Sequence, residues 1–148
     1  MYTIISADDS DLFVNDIYEL ECICFPDDNW SEKLIKNDIF NEKSHYYVCF
    51  VNYNLVGYIN ASVILDEAEL NRVAVHPEYR RLGIARALIK RLIDDLNRKN
   101  CNLLMLEVRR NNTEAISLYE SLNFKKDGLR KNYYQNPLDD AVLMSLNL

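Results

Sequence analysis

Apolar positions change their spacing several times along the chain, and each change predicts an element. Tyr2–Ser6 alternates and is β-branched, as a short strand should be. Leu12, Phe13, Ile17, Leu20 and Cys24 then recur at helical spacing, which predicts a helix from Ser10 to about Cys24, with Asp8–Asp11 as its caps. Phe25-Pro26-Asp27-Asp28-Asn29 breaks that pattern, and Ser31 can cap a second helix ending near Asn41. Ser44–Val51, a turn at Asn52–Asn54 and Leu55–Leu65 read as a hairpin, followed by a third strand at Glu69–Val75. Gly83–Lys99 carries Ile84, Ala85, Leu88, Ile89, Leu92, Ile93 and Leu96 on one stripe and is the strongest helix. Asn102–Val108 is nearly all apolar, as a strand covered on both faces would be. Thr113–Leu122 is a short helix, and two strands flank a loop at Asn132–Asp139. The order β-α-α-β-β-β-α-β-α-β-β predicts an α/β fold of the α+β type. Its mostly antiparallel sheet would have about seven strands, flanked by about four helices.

At 148 residues the chain is expected to form a single domain, residues 1–148, too short for a TIM barrel or a full Rossmann domain. Its net charge of −6 hides a division. Residues 1–70 hold fourteen acids against Lys33, Lys36 and Lys43, a net of −11, whereas residues 71–148 hold nine acids against fourteen bases, a net of +5. A nucleic-acid binder should be dominated by a basic face, so no direct nucleic-acid partner is expected. Cys22, Cys24, Cys49 and Cys101 show no C-x-x-C spacing, and only His45 and His76 could join them. No metal site is expected, and the thiols read as small hydrophobes of a reducing compartment. The first residues lack a basic stretch and a long apolar run, and no segment has 18 consecutive apolar residues, so a cytoplasmic protein without membrane association is expected.

The chain has three glycines, Gly57, Gly83 and Gly128. Gly83 lies between the strand ending at Val75 and the strongest helix, within Arg80-Arg81-Leu82-Gly83-Ile84-Ala85. A strand running through such a turn into a helix N-terminus aims several backbone N–H groups at one point, with the helix dipole behind them. That arrangement suits a pyrophosphate. Small residues at Gly83 and Ala85 permit close approach, and Arg80, Arg81 and Arg86 add charge. Neither G-x-G-x-x-G nor G-x-x-x-x-G-K is present, which counts against NAD and ATP. The plainer reading is an ordinary strand–helix turn with surface arginines.

Glu107 ends the apolar strand Leu103–Leu106, a half-buried place that suits a general base, or a structural Glu paired with Arg109 or Arg72. Tyr119 shares the stripe of Ala115, Leu118 and Leu122, so it reads first as a core tyrosine. Asn112 reads as the cap of that helix.

The segment VAVHPEYRRLGIARALI resembles the acetyl-CoA motif R/Q-x-x-G-x-G/A of the GNAT superfamily of N-acetyltransferases. LEVRRNNTEAISLYESLNF, GLRKNYY and DDAVLMSL are similar to its RimI-type ribosomal-protein-alanine N-acetyltransferases. The resemblance covers about Glu67 to Leu146, departing at Asn123 and Ala85, where glycine is usual. It implies the GNAT fold, acetyl-CoA as acetyl donor and the N-terminal amine of a small-subunit ribosomal protein as acceptor. It assigns the general base to Glu107 and the general acid to Tyr119. The backbone of Val73, Ala74 and Val75 would hold the pantetheine arm, with the Val75 amide as oxyanion donor. Arg80, Arg81, Leu82, Gly83, Ile84, Ala85 and Arg86 would take the pyrophosphate, and Asn112 and Tyr119 would also touch the coenzyme. Tyr133 and Tyr134, after Arg130 and Lys131, match the acceptor wall. A lysine or small-amine acceptor, or a non-catalytic acetyl-CoA-binding module, are the alternatives. The acidic first half would steer a cationic acceptor.

Overall fold

The periodicities resolve into eleven elements in a computed structural model describing residues 1–148. These are β1 (Thr3–Ser6), α1 (Val14–Cys24), α2 (Glu32–Ile39), β2 (Ser44–Val51), β3 (Asn54–Ile64), β4 (Glu67–Val75), α3 (Ile84–Arg98), β5 (Leu103–Arg109), α4 (Thr113–Ser121), β6 (Lys125–Tyr134) and β7 (Asp139–Asn147). The strands form one sheet in the order β1-β2-β3-β4-β5-β7-β6. Only β4 and β5 are parallel, because α3 carries the chain back over the sheet between them. The β2–β3 hairpin turns through Asn52 and Tyr53, both with positive φ (49° and 68°), matching the twist of its strands.

Two layers of helix cover the sheet. On one face α3 buries Ile84, Leu88, Ile89, Leu92 and Leu96 of the predicted stripe, with Ala85 and Ile93 half-buried at its margin, and with α4 forms the larger core. On the other, Ile17, Leu20, Ile35 and Ile39 of α1 and α2 meet Tyr46, Val48 and Tyr58. Ser31 caps α2 as predicted, its hydroxyl accepting from the Leu34 N–H at 3.1 Å.

The start of α1 differs from expectation. The helix begins at Val14, Leu12 is exposed, and no side chain caps it. Asp8 instead reaches across to β2, accepting from the Tyr46 N–H at 2.6 Å and facing His45 Nδ1 at 2.9 Å. Its carboxylate thus satisfies backbone on β2 rather than at the helix end.

A buried ion pair anchors the α1–α2 connection. Glu21 is fully buried, and its carboxylate accepts from Trp30 N–H (2.8 Å), Arg72 Nη2 (2.9 Å), Arg72 Nε (3.0 Å) and the Tyr58 hydroxyl. The Arg72 guanidinium also lies 3.9 Å from the Phe25 ring centroid and 5.0 Å from that of Trp30, and donates to the Asp28 carbonyl. A segment that the sequence presents as a break is thereby fixed against β4.

Candidate active site

The parallel strands β4 and β5 pair only from Glu67/Leu103 to Leu70/Leu106. Beyond that point β4 carries an extra residue, since Leu70 faces Ala61 and Arg72 faces Asn60, leaving Asn71 as a bulge. The Asn71 side-chain amide bonds Asn60 Oδ1 and Ser62 Oγ, which pins the bulge. From there β4 pairs only with β3 and β5 only with β7, so the two strands part and leave a gap.

The pairing shows which backbone groups face that gap. His76 N–H donates to the Val56 carbonyl at 2.7 Å, so Val75 and Gly57 form a non-hydrogen-bonded pair. The N–H and C=O of Val75 therefore turn away from β3, toward the gap, and by alternation so do those of Val73. Ala74 differs from expectation: its backbone bonds to β3 and its side chain is buried beneath α1 and α2. The Val75 carbonyl accepts from Arg80 Nε at 3.0 Å, with Cys24 Sγ at 3.5 Å. Arg80 thus turns back onto β4 and does not extend over the phosphate loop.

The loop itself leaves α3 open at its start. Arg81 and Gly83 both have positive φ (64° and 81°), and Gly83 occupies the N-cap, where it has no side chain to offer. The first bond into the helix runs from Ala87 N–H to the Gly83 carbonyl at 3.0 Å. The N–H groups of Ile84, Ala85 and Arg86 consequently keep free donors beside a positive dipole end, an anion cradle. Ile84 anchors it in the core and Ala85 is half-buried, while Leu82 is exposed. Gly57 lets this helix sit close to the sheet, since a Cβ there would lie 3.1 Å from Ile84 Cγ2 and 3.3 Å from the Ala74 carbonyl. Arg81 lies 3.8 Å from Glu114 on α4, and Arg86 donates to Ser121 Oγ at 2.8 Å. Arg86 therefore points along α4 and not into the cradle.

Glu107 and Tyr119 lie on opposite faces of the sheet. On β5, Leu104, Leu106 and Val108 enter the core under α3 and α4, so Glu107 points to the other side. Neither of the pairings expected for a structural Glu is present. Arg72 belongs to Glu21, and Arg109 donates to the Pro137 and Gln135 carbonyls. The nearest cation to Glu107 is Arg130 at 4.0 Å, and Oε2 is shielded from solvent with no hydrogen-bond partner. A buried carboxylate oxygen without a donor is costly as structure and useful as a base.

Tyr119 comes from α4, its ring buried beside Phe124 at 5.6 Å between centroids. Burial, and next the nearby Tyr134, push its phenol up to about 12, so it is a neutral hydroxyl at physiological pH. Asn112 caps α4, accepting from the Ala115 N–H at 3.1 Å, and its amide NH2 group makes no other bond. Asn123, in the place of the usual glycine, adopts φ 73°, as an asparagine can. His76 caps a short turn through its ring nitrogen.

The wall around Glu107 is built by β6. Between the pairs Arg130/Ala141 and Tyr134/Asp139 the strand carries two extra residues, and the Asn132 N–H in this bulge donates to Asp140 Oδ1 at 2.8 Å. The bulge sets the Tyr133 and Tyr134 rings edge to face, 5.0 Å apart. Arg109 stacks over Tyr134 at 4.5 Å and Arg130 over Tyr133 at 5.4 Å. Burial, then the Glu107 charge, raise the Tyr134 phenol to about 12. Sequence reasoning placed Arg130 in this wall but missed Arg109, Asp139 and Asp140 as its builders, and the Glu21–Arg72 pair opposite. Register joins Arg110 to Asp140 at 3.1 Å and brings the Asn111 N–H to Asp139 at 3.1 Å, partners that lie about thirty residues apart in sequence.

No helix is long and apolar enough to cross a membrane. Residues 14–124 match the acetyltransferase (GNAT) family model. The ribosomal protein bS18-alanine N-acetyltransferase of Escherichia coli K12 is 38% identical over 150 residues, covering 99% of this chain and 97% of the relative. A crystal structure of the ribosomal-protein-S18-alanine N-acetyltransferase from Escherichia coli aligns with a TM-score of 0.90 at 36% identity, over 99% of this chain and 94% of that one. At 20% identity the fold is shared with a GNAT acetyltransferase from Elizabethkingia anophelis with acetyl-CoA bound (TM-score 0.79, covering 99% of this chain and 98% of that one). The open phosphate cradle, the parted strands and the matched segment agree: the chain belongs to the acetyltransferase (GNAT) family.

Proposed function

We propose that this chain moves the acetyl group of acetyl-CoA to the N-terminal alanine amine of a ribosomal protein, by direct attack in a ternary complex. The observation carrying the reading is the unpartnered, shielded oxygen of Glu107 on β5, the strand that parts from β4 to open the gap. An α-amine has a pKa of ~7.7–8.0, so a tenth or so is already neutral at pH 7, and a modest base suffices. A lysine, at ~10.4, would need far more help.

In this scheme pantetheine lies along Val73 and Val75, and the pyrophosphate sits on the N–H groups of Ile84 and Ala85. The amine nitrogen attacks the thioester carbonyl carbon, whose oxygen takes the Val75 N–H as donor. Glu107 receives the amine proton through water. The C–S bond breaks, and the departing thiolate accepts a hydrogen bond from the Tyr119 hydroxyl before it takes up the proton released by the amine. A phenol is the weaker acid than a thiol of ~8.5, so Tyr119 acts chiefly as a placed hydrogen-bond donor. Tyr133 and Tyr134 flank the acceptor backbone.

The test compares acceptors: a peptide with free N-terminal alanine, the same peptide blocked at that amine, a blocked lysine peptide and polyamines. Acetylation confined to the free α-amine is expected. Faster transfer to lysine or polyamine would refute the acceptor assignment, and coenzyme binding with no turnover on any amine would refute the catalytic one.

A further inference from the structure

Two hydrogen-bond acceptors beside the gap find no donor in the chain. One is Glu107 Oε2, shielded and unpartnered, while Oε1 has Arg130 at 4.0 Å. The other is Asn71 Oδ1, on the bulged residue of β4, whose side chain bonds only through its NH2 group.

Which end of the Asn71 amide stays free is decided by its neighbours. The His45 backbone carbonyl can only accept, so the buried Asn60 side chain presents its NH2 group to it, at 3.2 Å. Asn60 Oδ1 is thereby turned to Asn71, which answers with its own NH2 group at 3.1 Å and shares that group with Ser62 Oγ at 3.2 Å. A backbone carbonyl on β2 thus fixes, through two amides in series, a free carbonyl on β4.

Register brings the two bare acceptors to the same level. Leu70 and Leu106 are the last bridged pair of β4 and β5, so Asn71 and Glu107 hold the next positions on the two strands. Their side chains also share a face. Leu106 and Val108 enter the larger core and send Glu107 to the other side. Asn71 bonds Asn60 and Ser62, which alternate with Ile59 and Ala61 of that core and so lie opposite it. The bulge makes this possible by setting Asn71 and Arg72 on one face in succession, and Arg72 turns to Glu21.

Resting on the acetyl-transfer reading above, we propose that Asn71 is a positioning residue that holds, together with Glu107, the water through which the acceptor amine loses its proton. A water has two O–H groups to give, and Glu107 Oε2 and Asn71 Oδ1 take one each. Its lone pair is then left to the amine. As the nitrogen bonds to the thioester carbon, one proton passes from nitrogen to the water oxygen and another from the water to Glu107, so the water is unchanged. A neutral amide suits the place, because it orients the water without taking the proton itself.

The experiment is a double-mutant cycle with an N-terminal-alanine peptide, measuring kcat and acetyl-CoA KM for the wild type, Asn71→Ala, Glu107→Gln and the double variant. Asn71 is exposed, and its replacement leaves the core untouched. Asn71→Ala should lower kcat about fivefold, the scale of one hydrogen bond, with acetyl-CoA KM within about twofold of wild type. In the Glu107→Gln background no base receives the proton, so the same substitution should change kcat by less than about twofold. An unchanged kcat for Asn71→Ala, an equal loss in both backgrounds, or a loss confined to acetyl-CoA KM overturns the proposal. No turnover by the wild type on any amine, or full turnover by Glu107→Gln, would be a different result, since it removes the underlying reading and the proposal with it.

Discussion

Replacing Glu21 by alanine removes one carboxylate and strands three groups at once. Arg72 keeps a positive charge on a side chain that is 14% exposed, the Tyr58 hydroxyl lies buried without its acceptor, and the Trp30 N–H loses its bond. Breaking a buried ion pair from one side costs about 3–5 kcal/mol, chiefly for the unpaired charge left behind. At 2–4 °C per kcal/mol for a chain of this length, the melting temperature should fall by about 10 °C. Urea unfolding of Glu21→Ala, Arg72→Leu and the double variant measures the effect without assuming that the pair is net stabilising. The double variant should be less destabilised than Glu21→Ala alone, because the orphaned guanidinium is gone. A loss below about 1 kcal/mol for Glu21→Ala would mean that the pair behaves as an exposed one, and the account of the α1–α2 anchor would be wrong.

Burial raises the phenols of Tyr46, Tyr47, Tyr58, Tyr119 and Tyr134 above their ordinary value, so the fold favours their neutral forms. Their stabilisation is complete below about pH 10 and is lost as pH rises from there through 12, which urea unfolding at pH 8 and pH 11 will register as a steep decline. Gly57→Ala should raise the acetyl-CoA KM more than the acceptor KM, because the new Cβ pushes on Ile84 and the start of α3. An overpacking cost of about 1–3 kcal/mol should accompany it in thermal melts. Among the acids of residues 1–70, Glu21 is buried and Asp8 and Asp38 are half-buried, while the others are exposed. If they steer a cationic acceptor, its KM should climb with ionic strength, and an acceptor KM independent of salt would contradict steering.

Local patterns were legible wherever one residue's neighbours in sequence decide its environment. Most of the α3 stripe and the Ser31 and Asn112 caps follow from spacing, and the Gly83 turn and the left-handed Asn123 from backbone preference. What the sequence could not show depends on register and on strands brought together from afar. Asp8 looks like a helix cap until β2 supplies a competing N–H. Glu21 looks like one more surface acid of α1 until Arg72 arrives from β4. Arg80 and Arg86 look like phosphate ligands by position alone, whereas their side chains turn to the Val75 carbonyl and to Ser121. The parting of β4 from β5 hinges on a single bulged residue, Asn71, which no periodicity marks.

At the centre of the proposal, Glu107 receives the amine proton and the Tyr119 hydroxyl supports the departing thiolate, while the backbone of Val73 and Val75 and the start of α3 carry most of the coenzyme binding. Steady-state acetylation of an N-terminal-alanine peptide by Glu107→Gln and Tyr119→Phe, alongside acetyl-CoA binding by calorimetry, tests it directly. Turnover in each variant should fall at least about tenfold, the lower part of what acid–base groups supply, with coenzyme affinity within about threefold of wild type. Unchanged turnover in both variants, or a loss of turnover matched by loss of coenzyme binding, would contradict it.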